Sequence, residues 1–555
     1  MFRRRYLLCL LLIAAWLALG RAGSAQEAPT HPDWRFGVVE AYETPAQADA
    51  LGVAWTRVTF HWAETQAGGP DSWTPRVGDE QIEAQVAAGR EVVGLLIGIP
   101  DWARDDEGLP RGLWLDDDDP QNLWAGYVRR LVEQYAGQVD HWIIWNEPDI
   151  RDSAAPGHTW DGDVADFAQL QKVAYRVARE ANAQSVIHLP AFTYYWDVNE
   201  GREQYMARLL DELAADEQAD AYHHYFDVAT AHLYFQPGQV YDVLQAFRQI
   251  LEEHGLHKPL WLVETNAPPS SDPSWPVADV TLRVTLGEQA AYMPQAVALA
   301  LAAGAERISV YKLQDLDSDV AANPEPFGLL RRDGSRRPAF TTYQLASRYL
   351  AGALSAERQR WDEVGQIVVN QRHFTTTVLF SRLPTAQEAQ VAAQAPQALL
   401  ADMWGTQRLL TANDGYFTVP LPPALCSQPI GDYCMIGGTT YYLIQPVAGE
   451  TLPQRLPAPD LSPTEPPPAT PITPTPTVPT ATPTSSPTAT LTPTTSPSPT
   501  PTPTATPEAQ VTDSPSTSSP LPGAINLPQS TFAYVLAGAA LLLAAVIIVR
   551  VRRRS

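Results

Sequence analysis

Eight short apolar runs recur between residues 36 and 313, each separated from the next by a longer stretch. The runs are FGVVEA (36 to 41), TRVTF (56 to 60), VVGLLIGI (92 to 99), WIIWNE (142 to 147), VIHLPA (186 to 191), DVATAHLY (227 to 234), LWLVET (260 to 265) and ISVYKL (308 to 313). Between them lie segments of helical character such as QIEAQVAAGR, NLWAGYVRRLVEQYAG, FAQLQKVAYRVAREANA and EQAAYMPQAVALALAAGA. Strands that alternate with helices build a parallel sheet. Eight such units predict a closed (β/α)8 TIM barrel over residues 30–350. An open doubly wound sheet is the competing arrangement, but no glycine-rich phosphate loop follows the first run.

After about Leu350 the period changes. GQIVVN, TTTVLFSRL, YFTVPLP and TTYYLIQP read as strands, with Asn413-Asp414-Gly415 as a turn signal. They predict a small β-sandwich over residues 351–450, read as a structural companion to the barrel; carbohydrate binding is its alternative role. Residues 451–526 are dominated by Pro, Thr, Ser and Ala and contain nothing from which a core can form. In a polyproline-like form such a linker reaches up to roughly 200 Å, which suits a stalk.

The two ends have compositions of their own. Arg3, Arg4 and Arg5, an apolar run from Tyr6 to Leu19 and the small residues Ala22-Gly23-Ser24-Ala25 follow the order of a secretory signal over residues 1–25. An uncleaved anchor is the alternative. FAYVLAGAALLLAAVIIV (532 to 549) is uncharged, long enough to span a bilayer within residues 530–550, and followed by arginines in the tail 551–555. Those arginines predict a cytoplasmic tail, and hence domains held at the cell surface by one C-terminal transmembrane helix. Leu527-Pro528-Gln529-Ser530-Thr531 resembles a cell-wall sorting signal but departs from it at its fourth and fifth positions, which favours a plain membrane anchor.

Eight of the 38 Lys+Arg lie in the two ends, so the part between them carries about −32 against its 62 acidic residues. Such a surface repels nucleic acid and anionic polymers. Beyond the signal only Cys426 and Cys434 remain, and in an oxidising compartment they predict one local disulfide.

Chemistry is expected where carboxylates meet strand ends. Glu147 stands in Asn146-Glu147-Pro148 at the end of the fourth run and Glu264 at the end of the seventh. Barrel closure brings such ends around one mouth. Carboxyl groups about 5 to 5.5 Å apart would suit a retaining glycosidase, and about 6.5 to 9.5 Å an inverting one. His223-His224 lacks a zinc-ligand spacing, and no serine nucleophile elbow is evident, so no metal or cofactor is assigned. The acidic run Asp116 to Asp119 reads as the cap of a helix starting near Gln121, with cation binding as the alternative.

WNEP at the end of run four, Glu264 at the end of run seven, Arg57 on run two and His232-x-Tyr234 on run six resemble the clan A glycoside hydrolases. Ile99-Pro100-Asp101-Trp102-Ala103 and PFGLLRRDGSRRPAF (326 to 340) are similar to family 39 and its bacterial relatives. The resemblance covers roughly residues 33 to 350. It implies a retaining hydrolase of an extracellular carbohydrate, with Glu147 as acid/base and Glu264 as nucleophile. It also implies that Arg57 and the Tyr234 hydroxyl keep Glu264 anionic, that Asn146 binds the hydroxyl beside the reacting carbon, and that His232 orients groups near Glu147. Where many clan members carry Trp on strand eight, this chain has Tyr311-Lys312. Trp62, Trp102, Trp145, Tyr194, Tyr195, Trp196 and Tyr311 are candidates for the apolar platforms that sugar rings need, with Trp102 and Trp196 the preferred contacts. A surface glycan-binding or adhesion protein with little turnover and a transglycosidase are the competing functions.

Overall fold

The computed structural model describes residues 32–452, apart from 156, 278, 279, 281, 323 and 324. The expected signal, the linker beyond residue 452, the C-terminal transmembrane helix and the basic tail lie outside the described residues. Among the described residues no helix is long and apolar enough to cross a membrane.

Eight parallel strands close into a barrel in chain order: β1 (Phe36–Val39), β2 (Trp55–His61), β3 (Glu91–Ile97), β4 (His141–Ile144), β5 (Val186–Phe192), β6 (Val228–Tyr234), β7 (Leu260–Asn266) and β8 (Ile308–Val310). Closure is made by β1, which pairs with both β2 and β8. The principal connecting helices are α1 (Pro45–Leu51), α2 (Asp79–Ala87), α3 (Leu123–Gln134), α4 (Val164–Ala181), α5 (Tyr205–Ala214), α6 (Pro237–Glu253), α7 (Leu286–Ala302) and α8 (Pro338–Tyr349). Because side chains alternate along a strand, one set fills the barrel and the other meets the helices. Trp55, Val93, Leu95, Ile143, Val228, Trp261 and Val263 form the inner cluster, whereas Val58, Phe60, Trp142 and Ile144 join the outer one. Gly37 is required by this packing, since a Cβ there would lie 2.4 Å from the Trp55 ring.

The helix α3 starts later than the acidic run suggests. Asn122 is its N-cap, its side chain accepting from Ala125 N at 3.1 Å. Asp119 closes the preceding turn on Gln121 N, and Asp117 pairs with Arg176 of α4. Capping needs an acceptor aimed at the first turn's free N–H groups, and the aspartates sit too early in the chain to supply it.

The C-terminal segment is wholly antiparallel. Its main sheet has six strands in the order β14 (Gln407–Thr411), β13 (Gln397–Asp402), β16 (Tyr441–Pro446), β11 (Phe374–Ser381), β10 (Val364–Gln371) and β9 (Ala353–Trp361). Instead of a sandwich of two comparable sheets, a two-stranded ribbon of β12 (Gln387–Ala392) and β15 (Tyr416–Leu421) covers one face through Leu379, Leu400, Phe417, Val419 and Leu443. The alternate residues Ile367, Val378, Phe380, Leu399 and Ile444 belong to the barrel's own cluster. Helix α7 packs against β7 on one side and β9 and β10 on the other, and is buried all round. That explains why EQAAYMPQAVALALAAGA has no polar face. Its inserted Gln295 bonds to Gly437 N and Gly438 O across the junction. Cys426 and Cys434, joined as a disulfide, close the loop that contains Ser427, whose N–H bonds to Glu288 in the first turn of α7.

Candidate active site

Two departures from regular strand geometry aim the carboxylates. Strand β4 ends at Ile144, before the Asn-Glu-Pro, because Trp145 (φ 75°) and Glu147 (φ 48°) adopt left-handed backbone. Such conformations cost energy in non-glycine residues and persist where surrounding bonds enforce them. Here Trp145 N donates to Leu96 O at 2.8 Å, Glu147 N to Ala191 O at 3.1 Å, and the Thr159 hydroxyl to Asn146 O at 2.6 Å. In β7 the pairing slips: Ala231 faces Leu262, but the next residue, His232, faces Glu264. The extra residue, Val263, makes a β-bulge that turns Glu264 to the same interior face as Trp261.

Both acids then meet around His232. Its Nδ1 lies 2.7 Å from Glu147 Oε1 and 3.5 Å from Glu264 Oε2, while its Nε2 lies 3.3 Å from Arg57 Nη1. A guanidinium only donates, so Nε2 accepts and the ring proton sits on Nδ1, facing Glu147. Arg57 Nη2 makes an ion pair with Glu264 Oε1, and the Tyr234 hydroxyl donates to Glu264 Oε2. Glu264 has a side-chain exposure of 8 %, and Glu147 of 17 %. Burial alone would raise the Glu264 carboxyl, but Arg57, His232 and the Tyr234 hydrogen bond outweigh it and hold it below the usual carboxylate range. Burial, and then the charge of Glu264, pushes the Tyr234 phenol well above its ordinary value, so it stays a donor.

Asn146 is half-buried beside Glu147. Of the aromatic candidates, Trp62 and Trp145 are fully buried and belong to a stack with Trp124, Tyr127 and Trp160. They pack the core and offer no face to a ligand. Trp102 is half-buried with its indole N–H on Gln66 O at 2.7 Å. Tyr194 and Tyr195 pack edge to face, Tyr194 also against Phe247; Trp196 remains half-buried. Tyr311 is half-buried and shares Phe327 with Tyr234, which brings it to the Glu264 side of the mouth.

Asp149 carries no motif signal, since an acid shortly after a strand-ending proline reads as solvated turn charge. It is instead 1 % exposed, and its Oδ2 accepts from Thr193 N (2.8 Å), Thr193 Oγ1 (2.8 Å) and Tyr194 N (3.1 Å), joining the β4 and β5 ends. Burial pushes its carboxyl up to about 7, with the Thr193 bonds opposing the rise and the Glu147 charge adding to it.

Glu147, His232 and Glu264 also have the donor types of a metal site, one ligand atom of each lying within 4.8 Å of the others. Arg57 and Tyr234 already occupy the Glu264 oxygens, and a second cation there would meet the guanidinium charge. A separate cavity of about 480 Å3 lies at the opposite pole, lined by Trp34, Arg35, Arg248, Glu306 and Leu354, and contains neither acid.

No protein-family model matches the sequence, and no curated protein matches it. Among solved structures the chain is similar to a family 39 glycoside hydrolase from the gut symbiont Bacteroides cellulosilyticus WH2, at 15 % identity and a TM-score of 0.55, over 75 % of this chain and 81 % of that one. A GH30 endoxylanase from Clostridium papyrosolvens C71 follows at 13 % identity and a TM-score of 0.47, over 75 % and 97 % of the two chains. A monomeric beta-xylosidase from Caulobacter crescentus CB15 stands at 15 % and 0.46, over 75 % and 98 %. The first of these likenesses establishes a shared fold, a closed barrel of eight parallel strands.

Proposed function

We propose that this chain is a retaining glycoside hydrolase that cleaves O-glycosidic bonds of an extracellular oligo- or polysaccharide by double displacement. The observation that carries the reading is the proximity of unlike carboxyls: an oxygen of Glu147 lies within 4.8 Å of an oxygen of Glu264. That separation favours direct attack over the wider gap, about 6.5 to 9.5 Å, that an inverting enzyme needs for its water.

In the first step a Glu264 oxygen attacks the anomeric carbon, the bond to the leaving oxygen breaks, and Glu147 gives that oxygen its proton. In the second, Glu147 takes a proton from water, the water oxygen bonds to the anomeric carbon, and Glu264 leaves. Arg57 and Tyr234 stabilise Glu264 as an anion, which suits a nucleophile that must also depart. His232 orients Glu147, Asn146 binds the hydroxyl next to the reacting carbon, and Trp102, Trp196 and Tyr311 contact sugar rings. Residues 1–25 as a signal, 451–526 as a stalk and 530–550 as an anchor would hold the enzyme at the cell surface.

The test offers the purified full chain a panel of aryl glycosides and polysaccharides and follows the anomer released by NMR. Retention is expected, lost in Glu264→Gln. Turnover insensitive to both Glu264→Gln and Glu147→Gln would refute the assignment, and binding without turnover would favour an adhesion protein.

A further inference from the structure

Beside the two acids, the mouth holds a second charged assembly that the hydrolytic steps do not use. Glu40, the first residue beyond β1, has left-handed backbone (φ 62°), and its N–H donates to Arg57 O at 3.3 Å. Its Oε2 accepts from Lys312 Nζ at 2.6 Å, and the same ammonium lies 2.8 Å from Asp319 Oδ2. Lys312 is buried, at 2 % side-chain exposure, whereas Glu40 and Asp319 keep 12 % and 13 %. The cation is therefore the sealed member of the group and the carboxylates are the members that reach solvent.

Tyr311, next to Lys312, links this assembly to the nucleophile. Its phenol is raised by burial, then by the charge of Glu264 and then by that of Glu40, and its ring packs on Phe327, which also packs on Tyr234. Among the described residues, Arg57 is paired with Glu264 and Lys312 with Glu40 and Asp319, while the partly exposed Arg76 lies in the field of Glu40, Glu64 and Glu43, so that the acids outnumber the bases on this side of the mouth.

We propose that Glu40, clamped by Lys312, determines specificity at the sugar subsite: its carboxylate accepts hydrogen bonds from sugar hydroxyls, and the subsite takes a neutral sugar and rejects a uronic acid. The inference rests on the glycosidase reading and names its substrate class. A sugar hydroxyl has a proton to give to an acceptor-only carboxylate. A uronate carboxylate has none, and meets Glu40, Asp319 and Glu264 as like charge, with Arg57 and Lys312 already bound to those acids. A buried lysine bonded to two acids cannot swing out without leaving both uncompensated.

The experiment uses the full chain with the 4-nitrophenyl β-glycosides of glucose, xylose, galactose and glucuronic acid. In parallel, saturation-transfer NMR measures binding of the four free sugars, so that turnover and recognition are read separately. The unaltered chain is expected to favour its best neutral glycoside over the glucuronide by about 100-fold or more in kcat/KM, and Glu40→Gln to narrow that ratio by about 10-fold or more. A uniform fall across all four glycosides in Glu40→Gln would overturn the proposal in favour of a purely structural clamp. So would binding or cleavage of glucuronic acid as strong as that of the best neutral sugar, or no binding of any. If the variant does not fold, the comparison of bound sugars on the unaltered chain decides. Selective binding of neutral sugars with no hydrolysis would refute the hydrolase reading and leave the subsite standing.

Discussion

The Nδ1 proton of His232 points at Glu147 Oε1, 2.7 Å away, because Arg57 bonds to the opposite ring nitrogen and can only donate. One guanidinium thus pairs with the proposed nucleophile and sets the tautomer of the residue that orients the proposed acid/base. The two carboxylates are wired together through β2 and β6, the strands that carry neither of them.

Because His232 acts through Glu147, its loss should resemble a partial loss of the acid. His232→Asn is expected to lower kcat/KM by about 100-fold on glycosides with poor leaving groups, and by much less on activated aryl glycosides that need little protonation. A leaving-group series measured on both proteins checks this. Equal losses across the series would remove His232 from proton delivery.

Tyr234→Phe deletes the hydroxyl that helps hold Glu264 anionic. The Glu264 carboxyl should rise toward the ordinary range. The acid limb of kcat/KM, below which the nucleophile is protonated, then moves to higher pH, with a loss of about 10- to 100-fold at the optimum. The pH–rate profile is the measurement, and an unmoved acid limb would refute the role.

Asp149 ties a stability term to pH. Its folded value of about 7 lies above the 3.8 of an ordinary aspartate, so the unfolded chain ionises first and the folded chain resists. Its contribution to stability therefore falls as pH rises from about 4 to 7 and is level above, amounting to up to about 4 kcal/mol. Asp149→Asn should gain Tm relative to the unaltered chain across that window. A constant difference between the two melting curves from pH 4 to 8 would contradict it.

If Glu147, His232 and Glu264 held a metal, chelation would abolish activity. The bonds of Arg57 and Tyr234 to Glu264 predict the reverse, with full turnover after exhaustive dialysis against EDTA. Loss of turnover restored by one divalent ion would assign the site to a metal.

The eight barrel strands were legible because their signal is local: a short apolar run is buried wherever it sits in a parallel sheet. The acids at runs four and seven were legible as residues, but their approach was not. Along β7, strict alternation from Trp261 and Val263 would point Glu264 outward among the helices. The bulge that reverses this exists only as a mismatch between β6 and β7. Trp62 and Trp145 looked like sugar platforms and are core, since a tryptophan at a strand end carries no mark of which side it will face.

What the sequence by itself determined is the order and type of the barrel strands and principal helices, the apolar girth of α7 and the identity of the charged groups at the strand ends. These follow from periodicity and composition within a single segment. The tertiary structure alone decided that Glu264 turns inward, that α7 is buried between β7 and the β9–β10 face in one continuous core, and that Lys312 lies sealed between Glu40 and Asp319. Each of these depends on register or contact between segments far apart in the chain, and no local pattern of side chains encodes such a relation.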